Sequence, residues 1–390
     1  TVTLTVTDSV SGEHVSEARA GYLYIVSLDR YVSPTGDDGN SGLDPEHPFG
    51  TLATAVAKIR EVAEGAGRQA TLHLAPGSYP IAGTLKLSSA VCVRGENRDT
   101  TFVLGSADFG LAFNLSHDDA VLSGVTVTNI VSSRGDQSGV GLYLSKGEVR
   151  DCRVAKCSSG SSSQWRGQGA GIYMTGGAVR DTIIENCTIF ASSRYGAGVY
   201  MKGGTVERCL IRNNFFPKFV DDEVIGGGVY MTGGTLRNCS IVLNSTEKLA
   251  GGVYAQGANT VVENCLIAGN VAWEDDCDTA PNFRAGATFA AANLRNCFIG
   301  KLEDAFVDDD CVPLAGSPLV AADIGWKRFA ADGPTVGFAT DRAEALAGTE
   351  LTFTGAVYGA EPGAFSGVKT VGTAPAWGDV YQEANDGQKA

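Results

Sequence analysis

One phrase recurs along this chain. GAGIYMTGGAVRDTIIENCT begins at Gly169, GAGVYMKGGTVERCLIRNNF at Gly196, GGGVYMTGGTLRNCSIVLNS at Gly226 and GGVYAQGANTVVENCLIAGN at Gly251. Set in register on the turn after the tyrosine, a first column holds Tyr143, Tyr173, Tyr200, Tyr230, Tyr254 and Phe289. A second column holds Cys152, Thr182, Cys209, Cys239, Cys265 and Cys297, with Val125 as an earlier member. Steps along it, from Val125, are 27, 30, 27, 30, 26 and 32 residues. A period of about 20–50 residues means a solenoid or a propeller, and a four-stranded propeller blade needs about 40. The Leu-x-x-Leu-x-Leu frame of leucine-rich repeats is absent, and no 3.6-residue rhythm supports helical repeats. GVYM, TVVEN and CLIAG are short, rich in β-branched residues and bounded by Gly or Asn, as strands are.

These observations predict an all-β fold: a parallel β-helix whose coils stack about 4.8 Å apart and pair backbone groups between layers. Val199 and Met201 are expected to face inward and Tyr200 outward, with Gly203-Gly204 turning a tight corner. TLATAVAKIREVAEG, ending at Gly65, has apolar residues at helical spacing and reads as a helix plugging the N-terminal end of the solenoid.

The chain resembles the right-handed β-helix of the pectate-lyase-like superfamily. The resemblance rests on YVSPTGDDGNSGLDPEHPFGTLATAVAKI (31–59), ATLHLAPGSYPIAGTLKLSSAVCVRGENRDTTFVLG (70–105), the repeats, and PLAGSPLVAADIG (313–325), about three quarters of the chain. It implies architecture more than activity, because that superfamily mixes lyases, hydrolases, adhesins and inert shafts. The Asp and Arg motifs that mark its pectate lyases and polygalacturonases are not recognisable here. TVTLTVTDSVSG (1–12) resembles the last strand of a PKD-like sandwich domain, and ALAGTELTFTGAVYGAEPGAFSG (345–367) the opening strands of one. The expected organisation is therefore 1–30 as terminal strands or linker, 31–325 as the β-helix, and 326–390 as a partial PKD-like module with a disordered tail.

The chain has ten cysteines. Stacked thiols in the second column have parallel side chains about 4.8 Å apart, too far for a disulfide, and are expected to be buried and free. Five residues on lies another column, Cys157, Cys187, Asn214, Asn244 and Asn270, where stacked Asn side chains hold the turn. A bridge between Cys157 and Cys187, or between Cys277 and Cys311, is the alternative. Neither spacing reads as a zinc site.

Most of the variation in coil length falls between the cysteine column and the next tyrosine, so the insertions should project from one face. That face carries Trp165, Arg166, Arg194, Tyr195, Phe216 and Trp273, the expected substrate-binding set, since aromatic rings stack on sugars and charged groups hold their hydroxyls or carboxylates. Anchoring the loops is the plainer role for the same rings. Lys248 lies between the acidic runs at Asp221 and Asp222 and at Asp275 and Asp276. This is the most lyase-like arrangement in the sequence, with the carboxylates as candidate catalytic groups or calcium ligands. PTGDDGNSGLD is expected to make turns, with calcium as the alternative.

A net charge of −14 leaves no basic stripe for nucleic acid, and no apolar run is long enough to span a bilayer. The expectation is a secreted or surface-displayed bacterial β-helix module, monomeric within a larger chain. It would bind polysaccharide through the loop face without requiring a cofactor. The alternative is a polysaccharide lyase or glycoside hydrolase acting on an acidic glycan.

Overall fold

The structure, a computed structural model, describes residues 27–106, 108–133, 138–159, 166–190, 193–216, 224–246, 248–272, 282–295 and 297–300. It also describes the backbone of four short strands elsewhere. Three long parallel sheets run the length of the coil stack. The first has ten strands, from Asp29–Val32 to Leu294–Arg295. The second has nine, from Gly77–Ile81 to Phe298–Gly300, and the third eight, from Leu85–Leu87 to Phe283–Ala285.

Each strand pairs with the equivalent strand one coil away, so identical positions stack. Val103, Val127, Val154, Ile184, Ile211, Ile241, Ile267 and Ile299 form one inward column of the second sheet. Val199 and Met201 are closed to solvent, as alternation along the strand requires. The core is thus a set of aliphatic ladders, and each buried Val, Leu or Ile contributes about 1.5–3 kcal/mol.

The corners explain the rest of the repeat. Chain direction changes between the first and second sheets at Asp151, Asp181, Arg208, Asn238 and Asn264, whose φ angles lie between 49° and 52°. A second left-handed corner follows at Lys156, Asn186, Asn213 and Leu243. Asn and Asp tolerate this conformation best among non-glycine residues. At the corner between the third and first sheets only the second glycine of the pair is left-handed, as in Gly204 (φ 86°). A Cβ on Gly203 would instead meet the Thr175 carbonyl oxygen at 2.7 Å.

The side chain after each left-handed residue turns inward. Cys152, Thr182, Cys209, Cys239, Cys265 and Cys297 form the expected buried column, and all eight described cysteines are free thiols. Cys157 and Cys187 therefore share no disulfide; Cys277 and Cys311 lie outside the described residues. Below Cys187 an amide ladder runs down the stack. The Oδ1 atoms of Asn214, Asn244 and Asn270 accept from the backbone N–H of Cys187, Asn214 and Asn244 at 2.9, 3.0 and 2.9 Å, and Asn282 receives Asn270 N at 3.0 Å.

The helix spans Leu52–Ala66 and buries Leu52, Ala55, Val56, Ile59 and Ala63 against the first coils. It passes through Gly65 and ends at a left-handed Gly67, one turn position later than the sequence suggested. Its N-cap is Thr51, and the preceding PTGDDG turn locks it in place. Asp38 accepts from Gly50 N, Thr51 N, Thr51 Oγ1 and Thr54 Oγ1 at 2.6–3.0 Å. Turn-making and helix capping are what this segment does in the described structure. Towards the ends, Val2–Thr7 pairs with His14–Arg19 and Thr352–Phe353 with Lys369–Thr370, both antiparallel. The described residues there form no sandwich, and most of 326–390 lies outside them.

Candidate functional site

Residues 160–165, 191–192, 217–223, 247 and 273–281 lie outside the described structure. Each follows the second left-handed corner and precedes the short strands Arg166–Gln168, Ser193–Tyr195 and Val224–Ile225 or their equivalents. The described residues that border these segments lie in the short outer sheets of one flank. Trp165, Trp273, Asp221, Asp222, Asp275 and Asp276 belong to these segments, and so fall outside the described residues.

The described part of that flank corrects the sequence reading at three positions. Phe216 is 1 % exposed and sits in the core, so it is closed to any ligand; Phe215 faces out instead, with Phe190 on the preceding coil. Successive strand side chains point to opposite faces, so a slip of one residue exchanges the two rings. Tyr195 is not a free platform either. With Ile225 and Leu249 it covers the tyrosine column, its ring 4.9 Å from that of Tyr230. The outward-facing Tyr143, Tyr173, Tyr200, Tyr230 and Tyr254 stack at 5.1–5.2 Å between ring centres, half or wholly buried under this outer layer. The third correction is Phe289, which does not extend this column: Arg284 takes the place opposite Tyr254, and Phe289 packs on Phe283. Lys248 is half-buried beside Leu249, and the acidic runs proposed to flank it are not among the described residues. In the outer layer the backbone of Arg166 pairs with Ser193 and that of Arg194 with Gly167.

A second surface was not legible in the sequence. On the outer side of the first sheet, one register column reads Tyr31, His73, Arg94, Ser123, Arg150, Arg180, Glu207, Arg237, Glu263 and Arg295. From Arg180 onward Arg and Glu alternate and neutralise one another. Glu207 receives Arg237 Nη2 at 3.0 Å and Arg180 Nε at 3.3 Å, and its other oxygen lies 2.9 Å from Arg208 Nη1. Burial pulls its carboxyl upward, but the hydrogen bond from Arg237 and the charges of Arg208 and Arg237 together outweigh burial and hold it below the ordinary value.

Before Arg180 the alternation breaks, and a groove of about 580 Å³ opens along the corner with the second sheet. Two features shape it. Gly95 and Gly124 approach each other closely at the start of the corner column; a Cβ on Gly124 would lie 2.4 Å from the Gly95 carbonyl oxygen, so no side chain fits there. The turn Glu96–Thr100 between adjacent strands is also longer than its counterparts and forms the groove's rim. Arg98 folds back from it, 5 % exposed, and donates to the Asp181 carbonyl oxygen at 2.9 Å. Thr126 Oγ1 pins the turn by donating to Arg98 O at 2.6 Å.

Most of the groove's charges are paired. Arg208 grips Asp181 with two hydrogen bonds of 2.8 Å, and Arg180 and Arg150 share Glu148. Among the described residues Arg94, Glu96 and Asp151 have no ion-pair or hydrogen-bond partner for their charged groups. Partial burial and the neighbouring Asp181 raise the Asp151 carboxyl above the ordinary value, against the opposing pull of Arg98, Arg150 and Arg208. Such a surface can donate to and accept from many hydroxyls, hold one carboxylate at Arg94, and exchange a proton at Asp151. No group of three or more His, Cys, Asp or Glu side chains among the described residues is placed to hold a metal ion.

Solved structures similar to this chain include the following two. One is a rhamnogalacturonan lyase, with TM-score 0.40 and 13% identity over 69% of this chain and 72% of that one. The other is the pectin methylesterase PemA from Erwinia chrysanthemi, with TM-score 0.38 and 12% identity over 83% and 98%. Neither likeness carries a functional argument. No curated protein matches the chain in sequence. Residues 138–297 match the family model of the right handed beta helix region, and that match with the stacked sheets makes the body of this chain a right-handed parallel β-helix.

Proposed function

We propose that this chain binds a polysaccharide, and that the corner groove contributes the central contacts. The observation that carries this reading is a groove of about 580 Å³ walled by interleaved guanidinium and carboxylate groups, with Arg94, Glu96 and Asp151 unpaired. Sugar hydroxyls both donate and accept, so a wall offering both functions in fixed positions suits them better than a wall of one sign. The pairing of Arg208 with Asp181 and of Arg180 with Glu148 holds the donors still before any ligand arrives, which reduces the ordering cost of binding. The insertion-bearing flank, with Phe190 and Phe215 exposed, is the second contact surface in this reading. Trp165, Trp273 and calcium held by the loop carboxylates belong to the same proposal, as does an extracellular or cell-surface setting. No helix among the described residues is long and apolar enough to cross a membrane.

The test is retention on a glycan array followed by calorimetry on the glycans retained. Arg94→Ala should weaken binding at least tenfold with the fold intact by circular dichroism. Full retention by Arg94→Ala, or no retention of any glycan by the wild type, would refute the proposal.

One observation favours a second reading, in which the groove also cleaves its ligand. Asp151 has a raised carboxyl pKa and no ion-pair partner, the properties of a group that takes or gives a proton. Elimination from a uronide yields an unsaturated product that absorbs in the ultraviolet, and hydrolysis yields new reducing ends. Either product, lost in Asp151→Asn with binding retained, would establish catalysis. Binding without product would leave the non-catalytic reading standing.

A further inference from the structure

The outer face of the second sheet is built unlike that of the first. Val154, Ile184, Ile211, Ile241 and Ile267 point inward, so the residues on either side of each point out. One outward column runs Ile183, Leu210, Ser240 and Leu266, and the other runs Glu185, Arg212, Val242 and Ala268. On the first sheet the outward Arg237 and Arg295 side chains are each 42 % exposed. On the second, Ile183, Leu210, Ser240, Val242 and Ala268 are between 0 and 3 % exposed. A sheet open to water on its outer side leaves such side chains partly exposed, as the first sheet does. Apolar outward columns closed to this degree require a layer above them.

The described elements do not supply that layer. The helix Leu52–Ala66 lies over the first coils. Among the described residues, the strands Ile183–Glu185, Leu210–Arg212 and Ser240–Val242 pack sideways on their ladder neighbours. Ser240 Oγ, on the same face, is buried and makes no hydrogen bond within the described structure. A backbone N–H or carbonyl of a covering segment would satisfy it.

The course of the chain points to the occupant. The last described strand of this sheet is Phe298–Gly300, and the sequence runs on from its end. Residues 301–325 lie outside the described structure and carry Leu302, Phe306, Val307 and Leu314, apolar partners for the outward columns. Ile183 is four coils back from Phe298, about 19 Å. Twenty-five residues reach up to roughly 80 Å, so the segment crosses this face with slack. The insertions 217–223 and 273–281 are shorter, and both ends of each are tied beyond the second left-handed corner. A second copy docking here would have to accommodate the chain departing from this same sheet.

We propose that residues 301–325 turn back after Gly300 and lie along the outer face of the second sheet, their apolar side chains on Ile183, Leu210, Val242 and Ala268. This face is then closed to any ligand, and the solenoid is incomplete without the segment: a chain ending at the last coil would expose an apolar stripe.

A photoreactive diazirine analogue of leucine at position 210 of the full chain tests the proposal. Irradiation, proteolysis and mass spectrometry should find the main adducts within 301–325 of the same molecule. Adducts to 217–223 or 273–281, to a second copy, or to water alone would each overturn it. Hydroxyl-radical labelling gives an independent reading on the unsubstituted chain. Label should be absent at Ile183 and Leu210 and present at the exposed Phe190 and Phe215; ready labelling of Ile183 and Leu210 means an open face and overturns the proposal. Phe306→Asp combined with Leu314→Asp should open Ile183 and Leu210 to the label, and unchanged protection would assign the cover to another segment. None of these measurements involves a glycan, so their outcome is independent of the polysaccharide reading.

Discussion

Replacing Asn244 by leucine should test how much of the solenoid's stability resides in its amide ladder. The Asn244 side chain is completely buried. Its Nδ2 donates to Ile211 O at 2.9 Å, Val242 O at 3.1 Å and Asn270 Oδ1 at 3.0 Å, while its Oδ1 accepts from Asn214 N and Asn214 Nδ2, both at 3.0 Å. Leucine has nearly the same shape and none of these functions. The Asn214 backbone N–H then loses its acceptor in the core, and the Ile211 carbonyl loses this donor. The carbonyl keeps its ladder bond to the paired strand, so the cost is that of one buried N–H left without a partner, about 1–3 kcal/mol. Cysteine at the same position should cost less, because Cys187 occupies the same column and its thiol turns back to the Glu185 carbonyl at 3.4 Å. Urea unfolding would measure the total, and amide hydrogen exchange at Asn214 would locate it. The loss should be concentrated in adjacent coils, since each coil contacts only its neighbours. A loss below about 1 kcal/mol with unchanged protection at Asn214 would show that the ladder follows the turn rather than holding it.

Three further outcomes are expected. Glu207→Gln should lower the thermal midpoint at neutral pH. Because the folded carboxyl is held below its ordinary value, its stabilisation is complete above the unfolded-state range and fades as pH falls through the folded value. The difference between variant and wild type should accordingly vanish in acid, and a constant difference across a pH series would contradict the ion-pair assignment. Titration with a thiol reagent should find the eight described cysteines unreactive until denaturant is added, burial having pushed the Cys152 thiol up to about 12; rapid native labelling mapped by mass spectrometry to this column would refute the packing. Phe216→Ala should cost about 3–5 kcal/mol in urea unfolding, whereas Phe215→Ala should stay within about 0.5 kcal/mol. The reverse order would mean that the strand register is shifted by one residue.

What the sequence by itself determined was everything that repeats with the coil. The inward Val199 and Met201, the outward Tyr200, the column of free thiols and the Asn ladder all follow from local stereochemistry imposed again in every layer. Period two sets the faces, and tight corners select Gly, Asn and Asp. Each repeat confirms its neighbours, and the pattern can be read without coordinates. The single turn of 96–100 and the swap of Phe215 for Phe216 break that repetition, so nothing nearby in the chain announces them.

Tertiary structure alone decided where unlike coils meet. Arg98 and Asp181 are 83 residues apart, yet one donates to the other across the corner. Tyr195 covers rings from neighbouring coils rather than facing solvent. The groove exists where Gly95, Gly124 and the turn after them meet side chains supplied by several later coils. Charge pairing depends on which layer lies above which, and that is fixed only when the whole ribbon is wound. Both candidate surfaces therefore depend on long-range contacts that local sequence does not encode.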